Sequence, residues 1–346
     1  MQSTLFRSGP LSIGDMLDWA IRLYRARFGK LILTTAIFLV PLGLLSSIIT
    51  GQAMTSYLTI FLTAMQNPEA ITEPELLSQV QSNSTLLTLS YLLMPIGIAV
   101  NGLVTLALAR QAMAIVHQQE LGVGESIRLG LRRFWAWVGM TFALYAAYAG
   151  VAILVFIVFF LVLFFLAFAA FGLAAFEGGS QGGEPGILAV VGMMVGLLCL
   201  YGGGVIAAFA PFLYLSTRWA VAMPVLIDQE VGPLEALGES WKLTKGHVRR
   251  ALGYVVLLYL FYGILYLALM TVAFAASSLV FTSSTLASVA IFGIIGALLP
   301  VLWQPIAVAA YVILYYDLRM RNQGYDLELR IDALETEVER AAYPAV

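Results

Sequence analysis

The chain has 346 residues, of which 61% are hydrophobic and 11% charged. A soluble domain carries about 25% charged and roughly 45–50% apolar residues, so a soluble globular protein does not fit and an integral membrane protein does. The net charge of −2 does not identify partners, since in such a chain the distribution of charge matters more than its sum, and nothing in it points to nucleic acid.

Residues 1–30 are mostly polar or amphipathic and read as a cytoplasmic N-terminal segment. The apolar run that follows, Leu31–Thr50, is too long and starts too late for the core of a signal peptide. It reads as the first of six spans, because about 20 apolar residues cross about 30 Å of hydrocarbon. The others are Leu86–Leu108, Trp137–Phe176, Ile187–Thr217, Ala251–Phe281 and Leu286–Tyr315. The third is longer than a crossing needs. Its middle, "VFIVFFLVLFF", has no Gly, Pro, Asn or Asp to turn the chain, so one long helix is expected rather than a hairpin. In the outer segment Gly51–Thr85, "SYLTIFLTAM" and "EPELLSQVQS" are candidates for two short surface helices. Residues 316–346 form a C-terminal tail.

The 18 Lys and Arg set the orientation. They precede the first span, lie between the second and third and between the fourth and fifth, or follow the sixth. The remaining connections carry only Glu69, Glu73, Glu75, Glu177 and Glu184. Every base therefore falls on one side, which the positive-inside rule makes cytoplasmic, with both termini inside.

"QQELGVGES" from Gln118 returns as "DQEVGPLEA" from Asp228. Aligned on Asp15, Glu125 and Glu235, the segments place Arg22, Arg132 and Lys242 in register. Each precedes an inside-to-outside span and is amphipathic at helical spacing. Their apolar stripes are Ile13, Leu17, Ala20, Tyr24 and Phe28, then Ile127, Leu131, Phe134 and Val138, then Leu234, Leu237, Trp241 and Val248. Ser12 with Asp15 fits a capping box, and Pro233 suits a first helical turn. The phrase thus predicts three elbow helices on the inner surface and a threefold repeat of roughly 110 residues. The fold class is all-α, a polytopic membrane bundle of six spans and three cytoplasmic amphipathic elbows.

The opening "GDMLDWAIRLYRARFGKL", the elbow "ALGESWKLTKGHVRRALG" and the closing "YYDLRMRNQGYDLELR" resemble the bacterial glycerophosphoryl diester phosphodiesterase membrane-domain family over residues 8–331. More distantly the chain is similar to the YciC-like six-span membrane proteins. In some relatives this part is fused to a soluble phosphodiesterase barrel. With about thirty residues after the sixth span, the resemblance implies a membrane module without that barrel, in a bacterial inner membrane.

No catalytic constellation is visible. A metal-dependent phosphodiesterase needs several carboxylates and histidines at one point, and the two histidines, His117 and His247, read as interfacial residues. Cys199 reads as a buried small hydrophobe. No P-loop, GxGxxG, HExxH or Gly-x-Ser-x-Gly run occurs, and Gly202-Gly203-Gly204 reads as helix packing. No cofactor and no metal are expected. Within the spans the polar candidates are Asn101, Thr105, Trp303 and Gln304, of which Asn101 and Gln304 suit interhelical hydrogen bonds. Pro41, Pro95, Pro211, Pro300 and Pro305 interrupt spans, and broken helices build midplane sites in transporters. The run Gly192–Gly196 fits a small-xxx-small contact, which leaves self-association as a homo-oligomer open. In the tail, Leu327, Ile331, Leu334 and Val338 recur at helical spacing and suit docking to a cytosolic or membrane protein partner.

Two functions follow. One is a non-catalytic module that organises membrane lipids or a partner, with Arg22, Arg25, Arg132, Lys242, Lys245, Arg249 and Arg250 as candidate headgroup contacts. The alternative is a permease or efflux component for an apolar or zwitterionic solute. A polar cavity at mid-depth favours the second, and a solid apolar bundle the first.

Overall fold

The computed structural model describes residues 11–66, 74–117, 119–178, 209–280 and 285–323. These residues are helical with short connections, and no strand occurs among them. In chain order the elements are α1 (Ile13–Ala26), α2 (Phe28–Gln66), α3 (Pro74–Val116), α4 (Val123–Arg132) and α5 (Phe134–Gly178). Then come α6 (the described residues 209–218), α7 (Ala222–Asp228), α8 (Pro233–Thr244), α9 (Val248–Val280) and α10 (Thr285–Gln323). Among the described residues 6 stretches are long and apolar enough to cross a membrane: Phe28–Ile49, Val80–Val116, Phe134–Phe165, Phe209–Asp228, Val248–Ser278 and Ile291–Gln323. The chain is an all-α, multi-pass membrane protein.

Several readings lie outside the described residues. They are those on Glu69, Glu73, Glu184, Cys199, Gly192–Gly196, Gly202-Gly203-Gly204, residues 187–208 of the fourth span and the C-terminal tail from residue 324 onward.

The third span is one helix, as its turn-free middle requires: α5 runs unbroken for 45 residues. The two outer surface helices are not formed. "SYLTIFLTAM" continues α2, a helix of 39 residues, and the run after Glu73 opens α3, a helix of 43 residues. At 1.5 Å per residue these helices are about 58 and 64 Å long, roughly twice the hydrocarbon thickness. Helices of this length exceed a single crossing, and each carries its own backbone hydrogen bonds wherever it leaves the apolar layer. Asn83, in the first part of α3, is buried, 1% exposed.

Prolines do not break the spans either. α2 passes through Pro41, α3 through Pro95, and α10 through Pro300 and Pro305. Pro224 is the exception. Its ring would clash with the carbonyl of Ala220 in a continuous helix, and the chain turns at residues 219–221 before Pro224 sits in the first turn of α7.

The three short helices start at Ile13, Val123 and Pro233, a spacing of roughly 110 residues. Ser12 and Asp15 form the expected capping box. Gly122 and Gly232 hold the same N-cap place, and the N–H of Gly232 donates to Glu235 Oε2 at 3.4 Å. Equivalent positions are buried: Met16, Ser126 and Ala236, then Ala20, Gly130 and Ser240. The expected apolar stripe is only partly the packed one. Leu131 is 53% and Leu234 72% exposed. In α4 small side chains face the bundle because the helix approaches α3 closely: a Cβ on Gly130 would stand 3.3 Å from the Ala107 nitrogen and from Leu106 Cβ. Leu131 and Leu234 face outward, while Met16, Leu23, Leu237 and Leu243 are buried.

α1 packs on α10 and α9, α4 on α3 and α2, and α8 on α5 and α7. Each short helix thus rests on the helical hairpin that precedes its own, and the three contacts close a cycle. α10 is central, against α2, α9, α3 and α1. It meets α2 through small residues on both sides. A Cβ on Gly43 would stand 2.8 Å from Ala297 Cβ, and one on Gly293 2.6 Å from Ser47. These two i, i+4 pairs run antiparallel and let the backbones nearly touch, the membrane route to van der Waals stability.

Candidate functional site

Long-range ion pairs gather at the end where α1, α4 and α8 lie. Arg27, which ends α1, pairs with Glu120 at 2.8 Å. Arg133, which ends α4, pairs with Glu230 at 3.2 Å, and Arg110 reaches the same carboxylate at 3.2 Å. These guanidinium groups hold the carboxyls of Glu120 and Glu230 below the usual carboxylate range. Glu230 adopts φ 54, a left-handed backbone that costs a non-glycine residue on the order of 1 kcal/mol. Asp317 is fully buried and holds both Arg250 and Arg321 at 3.0 Å, while Leu11 donates its N–H to Asp317 Oδ1 at 3.0 Å. Arg319 and the Tyr315 hydroxyl meet on Asp228 Oδ2 at 3.0 and 2.6 Å. Arg218 is buried without a carboxylate among the described residues. It lies 4.1 Å from the Trp241 ring centroid and 5.7 Å from that of Tyr214, contacts worth about 2 kcal/mol when desolvated.

The bases singled out for headgroup contact divide into three kinds. Arg25, Arg132, Lys245 and Arg249 are exposed, with no ion-pair partner among the described residues. Arg22 and Lys242 are exposed but pair within their own helices, with Asp18 at 2.7 Å and with Glu239 at 2.6 Å. Arg22 also lies over Trp19, and Glu239 raises the Lys242 pKa. Arg250 is of a third kind: it is spent on Asp317 and the Leu11 carbonyl, inside the protein.

The intramembrane polar candidates come together. Gln304 Nε2 donates to Thr105 Oγ1 at 2.8 Å and to the Asn101 carbonyl at 3.4 Å, joining α10 to α3. Thr105 donates its own hydroxyl to the Asn101 carbonyl at 2.8 Å. Two open clefts flank this contact. The first, about 520 Å³, lies between α2, α3 and α5 and is lined by Ser46, Met94, Asn101, Trp137, Thr141 and Tyr145 among others. The second, about 490 Å³, is walled by Tyr148, Trp219, Tyr259, Tyr262, Trp303 and Tyr311, with Asn101, Thr105 and Gln304 at its floor. Trp303 packs on Tyr262 at 5.0 Å, and Tyr148 on Trp219 at 6.1 Å. Volumes of this size hold small molecules or part of a lipid. Neither cleft is lined by a charged side chain.

Amides, hydroxyls and aromatic rings line the two clefts. Among the described residues no group of His, Cys, Asp and Glu is placed to hold a metal ion. His117 Nε2 and the Tyr316 hydroxyl share a hydrogen bond at 2.9 Å.

Sequence reasoning passed over Glu120, Glu230, Asp228 and Asp317. The signal was present for the first two. The glutamates of "QQELG" and "DQEVG" share a register, and the repeat of an acid in a chain so poor in charge marks a partner. Asp317 carried no such sign, because its partners Arg250 and Leu11 are brought to it only by the fold.

Residues 195–338 match the family model described as the membrane domain of glycerophosphoryl diester phosphodiesterase. The resemblance carried by the elbow and closing motifs is borne out over this stretch, which includes α6 to α10; the likeness to YciC-like proteins stays a resemblance. No curated protein matches the chain, and no solved structure does.

Proposed function

We infer from the family of residues 195–338, a membrane domain and not a hydrolytic one, and from the uncharged clefts at span level that the chain is a non-catalytic, lipid-holding module of a bacterial inner membrane. The observation that carries this reading is the pair of open clefts that meet at Asn101. Their rims include Met94, Tyr145 and Tyr259, all well exposed within candidate spans. A mouth at that depth opens toward lipid tails. The bases at the other end of the same helices support an orientation with both termini in the cytoplasm. The exposed Arg25, Arg132, Lys245 and Arg249 then lie near the inner headgroup plane, with Arg22 and Lys242 beside them.

Extraction of the full chain from its native membrane, followed by native mass spectrometry, tests the reading. Bound lipid at a fixed ratio, surviving delipidating detergent, is expected. A chain that flies without lipid under those conditions overturns it.

The second cleft favours one other reading. Asn101 lies nine residues before Arg110, about 14 Å along the helix, which is near mid-depth in a hydrocarbon layer of about 30 Å. A polar site there suits a permease or efflux component for an apolar or zwitterionic solute. Flux of such a solute across vesicles bearing the chain, absent from empty vesicles, would decide for it.

A further inference from the structure

We propose that the two clefts form one binding site for an uncharged glycerolipid bearing both ester carbonyls and a free hydroxyl, such as a diacylglycerol, read by the carboxamide of Asn101. The proposal rests on the lipid-holding reading and names the class of lipid.

Asn101 is exposed and lines both clefts. Its Oδ1 receives only a long contact, 3.5 Å from Thr105 Oγ1. Its Nδ2 has no partner among the described residues, although an unpaired amide at this depth costs several kcal/mol. Beside it stands Gln304, 9% exposed, with Oε1 buried and unpartnered. The amide's orientation follows from its neighbour. Thr105 gives its hydroxyl proton to the Asn101 carbonyl, so its oxygen must receive the N–H of Gln304, and Oε1 is left as the acceptor. It is buried behind the cleft floor. The site therefore offers an N–H₂ donor and an acceptor, both on the exposed carboxamide of Asn101.

A ligand that matches brings an acceptor and a donor. An ester carbonyl takes the Asn101 N–H, and a free hydroxyl gives its proton to a carboxamide oxygen. A phosphate or a carboxylate does not fit, since neither cleft holds a charged side chain and an unpaired charge in this medium costs far more than a hydrogen bond returns. The aromatic walls of the second cleft suit the glycerol unit and the first carbons of the chains. The remaining chain length lies along α5, whose span is apolar and exposed to lipid.

The test uses the full chain in nanodiscs of phosphatidylglycerol doped with dioleoylglycerol, read by native mass spectrometry. The parent should retain dioleoylglycerol in preference to phosphatidylglycerol. Asn101→Leu should lower dioleoylglycerol retention by about tenfold, the loss expected for an amide hydrogen bond in an apolar site, and leave phosphatidylglycerol retention unchanged. A second measurement needs no substitution: a diacylglycerol with a photoactivatable chain should label peptides of α3 and α5, and unlabelled dioleoylglycerol, but not phosphatidylglycerol, should compete. Equal retention of dioleoylglycerol by parent and variant, or competition by phosphatidylglycerol as strong as by dioleoylglycerol, would overturn the assignment while leaving a lipid-holding module intact. Absence of any retained or labelling lipid would overturn both.

Discussion

Arg133 closes α4 and grips Glu230 at 3.2 Å. The relation repeats one unit earlier, where Arg27 closes α1 and grips Glu120 at 2.8 Å. Each pair ties the end of one short helix to the turn that begins the next, so the clamp joins neighbouring repeats.

The clamps are expected to fail in acid. Both carboxyls are lowered in the folded protein from 4.5. A depressed carboxylate contributes stability that is complete above its unfolded value and disappears as pH falls through the folded value. We predict that Glu230→Gln lowers the thermal midpoint modestly at pH 7, and that the gap from the parent closes below the usual glutamate range. The groups are exposed, so screening keeps the effect small. A gap that is unchanged between neutral and acid pH would show that the carboxylate charge does not matter.

Asp317 is the costlier residue to disturb. Asp317→Asn leaves Arg250 and Arg321 without a countercharge in a buried place, a loss of about 3–5 kcal/mol. The folded fraction after mild heating, read by size-exclusion fluorescence, should collapse. Asp317→Leu combined with Arg250→Met and Arg321→Met removes all three charges and should recover part of the loss, since apolar residues of similar volume often replace a buried ion-pair network. An Asp317→Asn protein as stable as the parent would refute the network's importance.

Two glycines predict opposite outcomes. Gly43→Leu forces a side chain into Ala297, already 2.8 Å from an added Cβ, and should separate α2 from α10 with loss of folded protein. Gly263 in α9 has nothing within 4 Å of such a Cβ. There Gly263→Ala should be neutral or stabilise by about 0.4–1 kcal/mol through lower unfolded-state entropy. Thermal midpoints of the two variants in one detergent check both, and equal midpoints would show that the α2–α10 approach is looser than described.

The capping box, the register of the three short helices and the unbroken α5 were legible in sequence because each rests on local chemistry or on turn residues. The packed face of α4 was not. Periodicity marks Leu131 as a core residue, yet at a bilayer boundary the lipid offers the same solvent as a core, and Ser126 and Gly130 take the bundle side. Asn101 and Gln304 could each be picked out as amides inside apolar runs. Their meeting depends on how α3 crosses α10, which no local pattern encodes.

Orientation is open to direct labelling. In a variant lacking Cys199, a cysteine at Gln66 should react with an impermeant reagent on intact cells, and one at Glu125 only after permeabilisation. Both positions are exposed, so silence at either cannot be blamed on burial. Reaction of Glu125→Cys in intact cells would reverse the proposed topology.

The exposed bases make the last prediction. Arg25, Arg132, Lys245 and Arg249 carry no ion-pair partner among the described residues, whereas Arg250 is held by Asp317. Each free base near an anionic surface is worth about 1 kcal/mol, fading within a Debye length. The triple variant with Gln at Arg132, Lys245 and Arg249 should therefore retain several-fold less phosphatidylglycerol in native mass spectra, and the difference should shrink as salt is raised during preparation. It should leave dioleoylglycerol retention untouched, because the clefts contain none of these residues. Arg250→Gln should behave otherwise, losing stability before it loses lipid. If the triple variant keeps all its anionic lipid, the exposed bases serve orientation alone, and the sorting of bases into structural and lipid-facing sets fails on its second half.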